Sequence, residues 1–127
     1  MNGSRFLLDT NAIIAILRGN RTVQDTLKDA AWVGVSIISR LEFLCFEGLL
    51  DADRELFSEF LKRVEQVGLT SADEDLLNKT AELRASRRLK LPDAIIAATA
   101  ISHDAMLVSA DRHFASIPSL SLVEFQP

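Results

Sequence analysis

The chain has 127 residues, about the length of one domain, and 48% of them are hydrophobic, so a single core over residues 1–127 is expected. The formal net charge of −4 argues against binding of nucleic acid through bulk positive charge, and any such role must rest on a local basic patch or on metal ions. No apolar run is long enough to span a membrane and no targeting signal is evident, which predicts a soluble cytoplasmic protein.

The first third of the chain predicts two strands and three helices. The apolar run 6–8 ends abruptly in Asp9, which is typical of a buried strand that delivers a carboxylate to the edge of a sheet. The elements that follow are, in order, a helix over 12–17 closed by Gly19, a helix over 22–31, a strand over 32–36 and a helix over 37–47.

Apolar spacing on the helix over 37–47 predicts which of its side chains face inward: Leu41, Leu44 and Cys45. The single cysteine cannot form an internal disulfide, which suits a reducing compartment. We therefore expect Cys45 to be a buried small hydrophobe and not a nucleophile.

The middle of the chain predicts two longer helices on either side of a short strand. Apolar residues recur at i, i+1, i+4, i+5 and i+8 between residues 53 and 65, which predicts an amphipathic helix. A strand is predicted over 67–69. Ser71 and Glu74 have capping-box spacing, and they open a helix that we expect to run to Arg88.

The last third of the chain predicts a helix and two strands. Pro92 cannot continue the preceding helix but can begin the next one, an alanine-rich helix over 92–102. Strands are predicted over 106–109 and 120–125. Because parallel strands need crossover helices, this alternation predicts an α/β fold with a mainly parallel sheet of about five strands, covered by helices on both faces.

Four acidic residues interrupt apolar or boundary positions in this pattern: Asp9, Glu42, Asp93 and Asp111. Each lies at or just past the C-terminal end of a predicted strand or near the start of a helix, so a parallel sheet can bring all four to one edge, where ligands bind in such folds. Carboxylates gathered there would raise one another's pKa values, and a divalent cation removes that penalty. Oxygen ligands of this kind select Mg²⁺ or Mn²⁺.

Each acid also has a purely structural explanation. Asp9 and Asp93 could cap the helices that follow them, and Asp111 could start a turn. Glu42 lies three residues after Ser39, which is capping-box spacing. These explanations are favoured for each acid taken singly, but they predict no common edge. The convergence of all four therefore favours a metal site.

The segments that carry these acids resemble the PIN domain, and in their order and spacing they most resemble the VapC-type toxins of bacterial toxin–antitoxin pairs. The segments are FLLDTN at 6–11, SIISRLEF at 36–43, LPDAIIAA at 91–98 and LVSADRHF at 107–114. The resemblance implies a three-layer α/β/α sandwich and a Mg²⁺- or Mn²⁺-dependent endoribonuclease that hydrolyses RNA phosphodiesters with a metal-activated water.

The resemblance also assigns roles to individual residues. It carries the catalytic and metal-binding role to Asp9, Glu42, Asp93 and Asp111, and it places Asn11 and Ser109 where they support the first aspartate and the water. It implies a homodimer and a cognate antitoxin whose C-terminal segment covers the catalytic groove.

Two positions depart from the pattern of the family. Ser109 stands where many relatives have threonine, a change that keeps the hydroxyl. His113 stands where some relatives carry a further acid, so a second metal position is less assured, and we expect His113 and His103 to face solvent.

RNA binding by an acidic protein needs a local group of cations. Three arginines at i, i+3 and i+4 on one predicted helical face lead through Lys90 to Asp93, and two more flank Glu42 and Asp111. We hypothesise that these arginines contact RNA phosphates: Arg40, Arg84, Arg87, Arg88 and Arg112. The alternative is a solvated face with ion pairs inside the helix.

Other acidic α/β proteins fit less well. A haloacid-dehalogenase-type phosphatase would have a second aspartate where this chain has Asn11, and a receiver domain would need a lysine late in the chain, yet none follows Lys90. Two alternatives stay open. The first is a catalytically weak PIN domain that binds RNA or an antitoxin, and the second is a stand-alone RNA-processing nuclease.

Overall fold

The structure is a computed structural model and describes residues 4–127. Five strands are β1 (Arg5–Leu8), β2 (Trp32–Ser36), β3 (Glu65–Val67), β4 (Met106–Ser109) and β5 (Leu122–Glu124). Six α-helices are α1 (Thr10–Leu17), α2 (Arg21–Leu27), α3 (Ile37–Leu44), α4 (Asp51–Leu61), α5 (Glu74–Arg87) and α6 (Leu91–Ser102), and a short 3₁₀ helix spans Arg112–Ser116. None of the helices described here has the length and apolar character that a membrane crossing requires.

The five strands form one sheet in the order β3-β2-β1-β4-β5, and every neighbouring pair is parallel. The prediction of a mainly parallel sheet of about five strands is therefore confirmed. The chain builds outward from β1 to β3 on one side and then crosses to β4 and β5 on the other. This reversal of strand order makes the crevice beyond the ends of β1 and β4 the place where such sheets bind ligands.

Two apolar layers cover the sheet because successive strand residues point to opposite faces. Leu7 and Leu107 belong to a core cluster with residues of α5 and α6, whereas Phe6, Leu8 and Val108 belong to a second cluster with residues of α1 to α4. All five side chains are buried. The α/β/α sandwich is thus confirmed, with two helices on one face and four on the other.

A stacked group of side chains closes one part of the first cluster. The guanidinium of Arg5 lies 4.5 Å from the centre of the Trp32 ring, and the His103 ring stacks on the same indole at a centroid distance of 5.7 Å. Arg5 Nε also donates to the His103 carbonyl at 2.8 Å. The prediction that His103 faces solvent is wrong, because its half-buried ring belongs to this stack.

The inward-facing prediction for α3 is wrong at two of its three positions. The buried side chains of α3 are Ser39 and Phe43, one turn apart, and Leu41 lies about 200° around the helix from each of them. Leu41 is consequently 54% exposed, and Leu44 alone packs against the core as expected. Cys45, two positions after Phe43, is also exposed.

Other differences concern the ends of elements. The helix α1 begins at Thr10 because Asp9 caps it, α3 ends at Leu44 and not at residue 47, and β3 pairs over residues 65–67 and not 67–69. The capping role predicted for Ser71 is also wrong, and the structural alternative in which Ser39 and Glu42 form a capping box is not observed. Asp73 precedes α5 but accepts from Thr70, and α3 is capped by Ser36.

Gly34 supports the Trp32 stack, because a Cβ built on it would lie 2.2 Å from the Trp32 ring. We expect Gly34→Ala to displace the indole and to lower the free energy of unfolding by about 1–3 kcal/mol in urea denaturation. Gly68→Ala is the matched control, because a Cβ there meets nothing within 4 Å. Adding Trp32→Leu to Gly34→Ala should remove most of the clash, so strictly additive losses would contradict this explanation.

Candidate functional site

One pocket at the C-terminal edge of the sheet brings together the four acids that the sequence singles out. Asp9 follows β1, Glu42 lies in α3 after β2, Asp93 lies in the first turn of α6, and Asp111 follows β4. All four line the same pocket, with Thr10, Asn11, Ile14, Cys45 and Phe46 completing its wall. The convergence expected from the strand pattern is present in the fold.

Asp9 is the most buried of these acids, with 6% of its surface exposed. Both of its carboxylate oxygens accept hydrogen bonds. The backbone N–H of Thr10 donates to Oδ1 at 2.8 Å, and the hydroxyl of Ser109 donates to Oδ2 at 2.7 Å. Asp9 therefore caps α1, as its structural explanation requires, and at the same time presents a fixed carboxylate to the pocket.

Asn11 and Ser109 join the start of α1 to the end of β4. Asn11 Oδ1 accepts the backbone N–H of Ala110 at 3.0 Å, and its amide nitrogen lies 3.4 Å from Ser109 Oγ. Ser109 Oγ in turn accepts the backbone N–H of Asp111 at 3.0 Å. These contacts agree with a supporting role for Asn11 and Ser109, a role that stays a prediction.

Thr10 is a residue of the pocket that the sequence reasoning missed. Its hydroxyl donates to Glu42 Oε1 at 2.7 Å, across the gap between α1 and α3. Its position in the sequence could have identified it, because Thr10 directly follows Asp9 and begins a helix. Its partner could not be read from spacing, because Glu42 lies 32 residues further along the chain.

The remaining acids differ in how they are held. Asp111 Oδ1 accepts the backbone N–H of His113 at 2.9 Å and also contacts the His113 ring, so Asp111 caps the 3₁₀ helix. The His113 side chain is 78% exposed, in agreement with its predicted solvent-facing position. Asp93 is not the cap of α6, because that helix begins after Lys90. The capping explanation thus fails for the half-buried Asp93, and it also fails for Glu42, since Ser36 and not Ser39 caps α3.

Burial and mutual repulsion perturb two of the four acids. Burial raises the pKa of Asp9 to about 6, and the charges of Asp93 and Glu42 add to this rise, whereas hydrogen bonds from Ser109 and Thr10 oppose it. The pKa of Asp93 is also raised, first by burial and then by the charges of Asp111 and Glu42. The four carboxylates are thus electrostatically coupled, as the sequence-based argument expects.

The four carboxylates of the pocket are chemically suited to bind a hard divalent cation. Carboxylate oxygens suit Mg²⁺ or Mn²⁺, and a Mg²⁺ site usually combines one or two carboxylates with several waters. Over residues 4–127, no three histidine, cysteine, aspartate or glutamate side chains stand close enough together to hold an ion. The acids therefore surround an open pocket and do not form a closed cage.

The five arginines predicted to contact RNA have different surroundings. Arg40 donates to Gln66 at 2.8 Å, and Arg112 lies 3.4 Å from Glu124, so both already have partners on their own chain. Arg84 donates to the Leu89 carbonyl at 2.9 Å. The expectation that Arg84, Arg87 and Arg88 share one helical face is wrong.

The reason for this error is the end of α5. Arg87 is the last residue of the helix, and Arg88 after it adopts a left-handed conformation with φ 55°. Its side chain consequently leaves the direction that the helical spacing predicts.

The raised pKa of Asp9 predicts a pH-dependent stability in the absence of metal. Since folding favours the protonated carboxyl, its contribution is fully present below about pH 3.8 and is lost as the pH rises through about 6. Asp9→Asn cannot ionise. We therefore expect the stability of Asp9→Asn relative to the parent to increase between pH 4 and pH 8 by up to about 3 kcal/mol, measured by urea denaturation in EDTA. A difference that does not change with pH would contradict the raised pKa.

Comparisons with known proteins agree with this geometry. The family model described as "PIN domain" matches residues 6–120. Among curated proteins, Ribonuclease VapC4 of Mycobacterium tuberculosis (strain ATCC 25618 / H37Rv) is 31% identical over 130 residues, which cover 97% of this chain and 98% of that protein.

Solved structures of toxin–antitoxin complexes have a similar fold. A toxin–antitoxin complex from Klebsiella pneumoniae is 28% identical, with a TM-score of 0.74 over 94% of this chain and 98% of the other. VapBC2 from Rickettsia felis, bound to a DNA fragment from its promoter, is 20% identical and shows the same fold, with a TM-score of 0.79 over 96% and 99% of the two chains. The resemblance inferred from the four sequence segments is confirmed, and the chain belongs to the PIN domain family.

Proposed function

We propose that this protein is a Mg²⁺- or Mn²⁺-dependent endoribonuclease and the toxin of a type II toxin–antitoxin pair. The observation that carries this proposal is that four separate segments each deliver a carboxylate to one pocket at the edge of the sheet. The similarity to a ribonuclease over nearly the whole length of both proteins supports a nuclease activity. Nucleases of this family generally depend on divalent metal ions.

The residues of the pocket would divide the work of hydrolysis. A bound divalent ion would supply an ionised water and compensate charge on the phosphodiester. Asp9, held by Ser109 and Thr10, would be the most fixed of the metal ligands. The less buried Asp93 and Asp111 would also hold the ion and would position the attacking water. Addition of water across the bond between phosphorus and the 3′ oxygen leaves a 5′-phosphate and a 3′-hydroxyl.

A groove beside the pocket, lined by apolar residues together with Arg18, Glu47 and Asp53, supports the partner part of the proposal. The groove shares Ile14 and Phe46 with the carboxylate pocket and continues along Leu17 and Leu56. Phe46 and Leu56 are 46% and 53% exposed. We infer that a segment of the antitoxin covers this groove, in line with the toxin–antitoxin complex that this chain resembles. The homodimer implied by the family resemblance stays a prediction, for which sedimentation of the purified protein is the direct measurement.

The basic residues that lead to Asp93 are proposed to bind RNA phosphates on the approach to the pocket. Arg87, Arg88 and Lys90 are exposed and lie just before the α6 segment that carries Asp93. Arg40 and Arg112 would have to exchange their present partners for phosphate, and Arg84 would have to release the Leu89 carbonyl. Arg87, Arg88 and Lys90 are therefore the best supported RNA contacts.

The nuclease assignment predicts that Asp93→Asn lowers the rate of Mn²⁺-dependent RNA cleavage by more than about 100-fold, because a ligand of the proposed metal is lost. Asp9→Ala should behave in the same way, and EDTA should abolish the activity of the parent. Asp75→Asn on the exposed start of α5 is the control and should cleave normally. End labelling of the cleavage products should show 5′-phosphates.

Two results would contradict this assignment. The first is cleavage by Asp93→Asn at the rate of the parent. The second is a 2′,3′-cyclic phosphate product, since that end comes from attack by the 2′-hydroxyl of the RNA itself. Absence of all cleavage by the parent in Mn²⁺ would favour the alternative of a catalytically weak PIN domain that acts as a binding module.

Because Arg88 has a left-handed conformation, one substitution there should change protein stability and RNA affinity in opposite directions. Arg88→Gly removes a cation and relieves the strain of a side chain at φ 55°, so we expect it to raise the free energy of unfolding by about 0.5–1 kcal/mol. The same change should weaken RNA binding and reduce the slope of log affinity against log salt by about 0.7.

Asp104→Gly is the matched control for Arg88→Gly, because Asp104 is the other non-glycine residue with positive φ in the described part of the chain. It should gain comparable stability without a loss of RNA affinity in the same filter-binding titration. An equal RNA affinity for Arg88→Gly and the parent at low salt would contradict the phosphate contact.

A further inference from the structure

Thr10 contacts two of the four acids of the pocket at once. Its backbone N–H donates to Asp9 Oδ1 at 2.8 Å, and its side-chain hydroxyl donates to Glu42 Oε1 at 2.7 Å. The two acceptors belong to different parts of the fold, since Asp9 directly follows β1 and Glu42 lies in α3. A single residue therefore connects two carboxylates that electrostatic repulsion would drive apart.

The position of Thr10 in its helix explains why its hydroxyl is available for Glu42. Three threonines deeper in their helices donate instead to the carbonyl four residues earlier: Thr26 to Thr22, Thr80 to Leu76 and Thr99 to Ile95. Thr10 is the first residue of α1, so the helix has no preceding turn to accept its hydroxyl proton. The proton is thus free to be shared with a side chain of another helix.

Glu42 depends on this contact for its orientation. It is half-exposed, and its long side chain has several rotamers, so repulsion from the other acids favours those that turn it away from them. The bond from Thr10 is the one side-chain hydrogen bond to the Glu42 carboxylate within residues 4–127. The β-branched side chain of threonine restricts χ1, which keeps the donor pointed across the pocket.

We propose that Thr10 is a positioning residue that sets the separation of Asp9 and Glu42 and so determines how tightly the pocket binds a divalent cation. This inference rests on the proposed metal-dependent function. Thr10 acts in this proposal through its hydroxyl proton and its N–H, which are both directed at carboxylates, and not as a metal ligand. Groups that orient metal ligands in this way typically contribute a factor of about 10–100 to metal affinity.

The test compares Thr10→Val with Thr10→Ser by calorimetric titration with Mn²⁺ in the absence of RNA. Valine keeps the branched shape and loses the donor, so we expect Mn²⁺ to bind about tenfold or more weakly. Serine keeps the hydroxyl and should restore affinity to within about twofold of the parent, a rescue that a merely structural role for the methyl group would not give. Thr26→Val, which removes a hydroxyl from α2 away from the pocket, is the control and should bind Mn²⁺ like the parent.

A double-mutant cycle with Glu42→Gln assigns the effect to the proposed contact. In the Glu42→Gln background, Thr10→Val should change Mn²⁺ affinity much less than it does in the parent. An equal loss in both backgrounds, or parent-like affinity for Thr10→Val with unchanged thermal stability, would overturn the role of Thr10 while leaving the nuclease proposal intact. A parent protein that binds no Mn²⁺ would overturn both proposals together.

Discussion

Burial of a carboxylate at the end of the central strand is the constraint on which the site depends. The strand β1 carries Asp9 into a position with 6% exposure, where its charged form is disfavoured. The chain offsets this cost with two donors from separate segments, the Thr10 N–H and the Ser109 hydroxyl. The Thr10 N–H is adjacent in the chain, but the Ser109 hydroxyl reaches Asp9 only if β1 and β4 pair in the observed register. The geometry of the pocket therefore depends on the parallel pairing of β1 and β4 at the centre of the sheet.

The capping contacts of two of the acids are compatible with the proposed metal-binding roles. Asp9 caps α1 with one oxygen and faces Ser109 with the other, and Asp111 caps the 3₁₀ helix while it lines the pocket. A carboxylate has two oxygens and several lone pairs, so one group can stabilise a helix terminus and still present charge to a ligand. The capping contacts therefore do not exclude the proposed metal site.

The sequence predicted the architecture well because the alternation of apolar runs is a local signal. The strands Trp32–Ser36 and Met106–Ser109 have the predicted limits, and the four acids meet at the predicted edge. The failures concern features that depend on distant neighbours. The orientation of Leu41 depends on which face of a two-turn helix meets the core, which its own spacing does not decide. The contact between Thr10 and Glu42 depends on how α1 packs beside α3.

The hydrogen bond from the Ser109 hydroxyl to Asp9 joins residues 100 positions apart in the chain. The complete pocket therefore forms only when β4 has docked beside β1. A chain that is still being synthesised, or one whose C-terminal strands have locally opened, lacks both the Ser109 donor and the Asp111 carboxylate in place. Only a fully folded chain therefore has all four carboxylates in place, and we expect partly folded chains to be inactive.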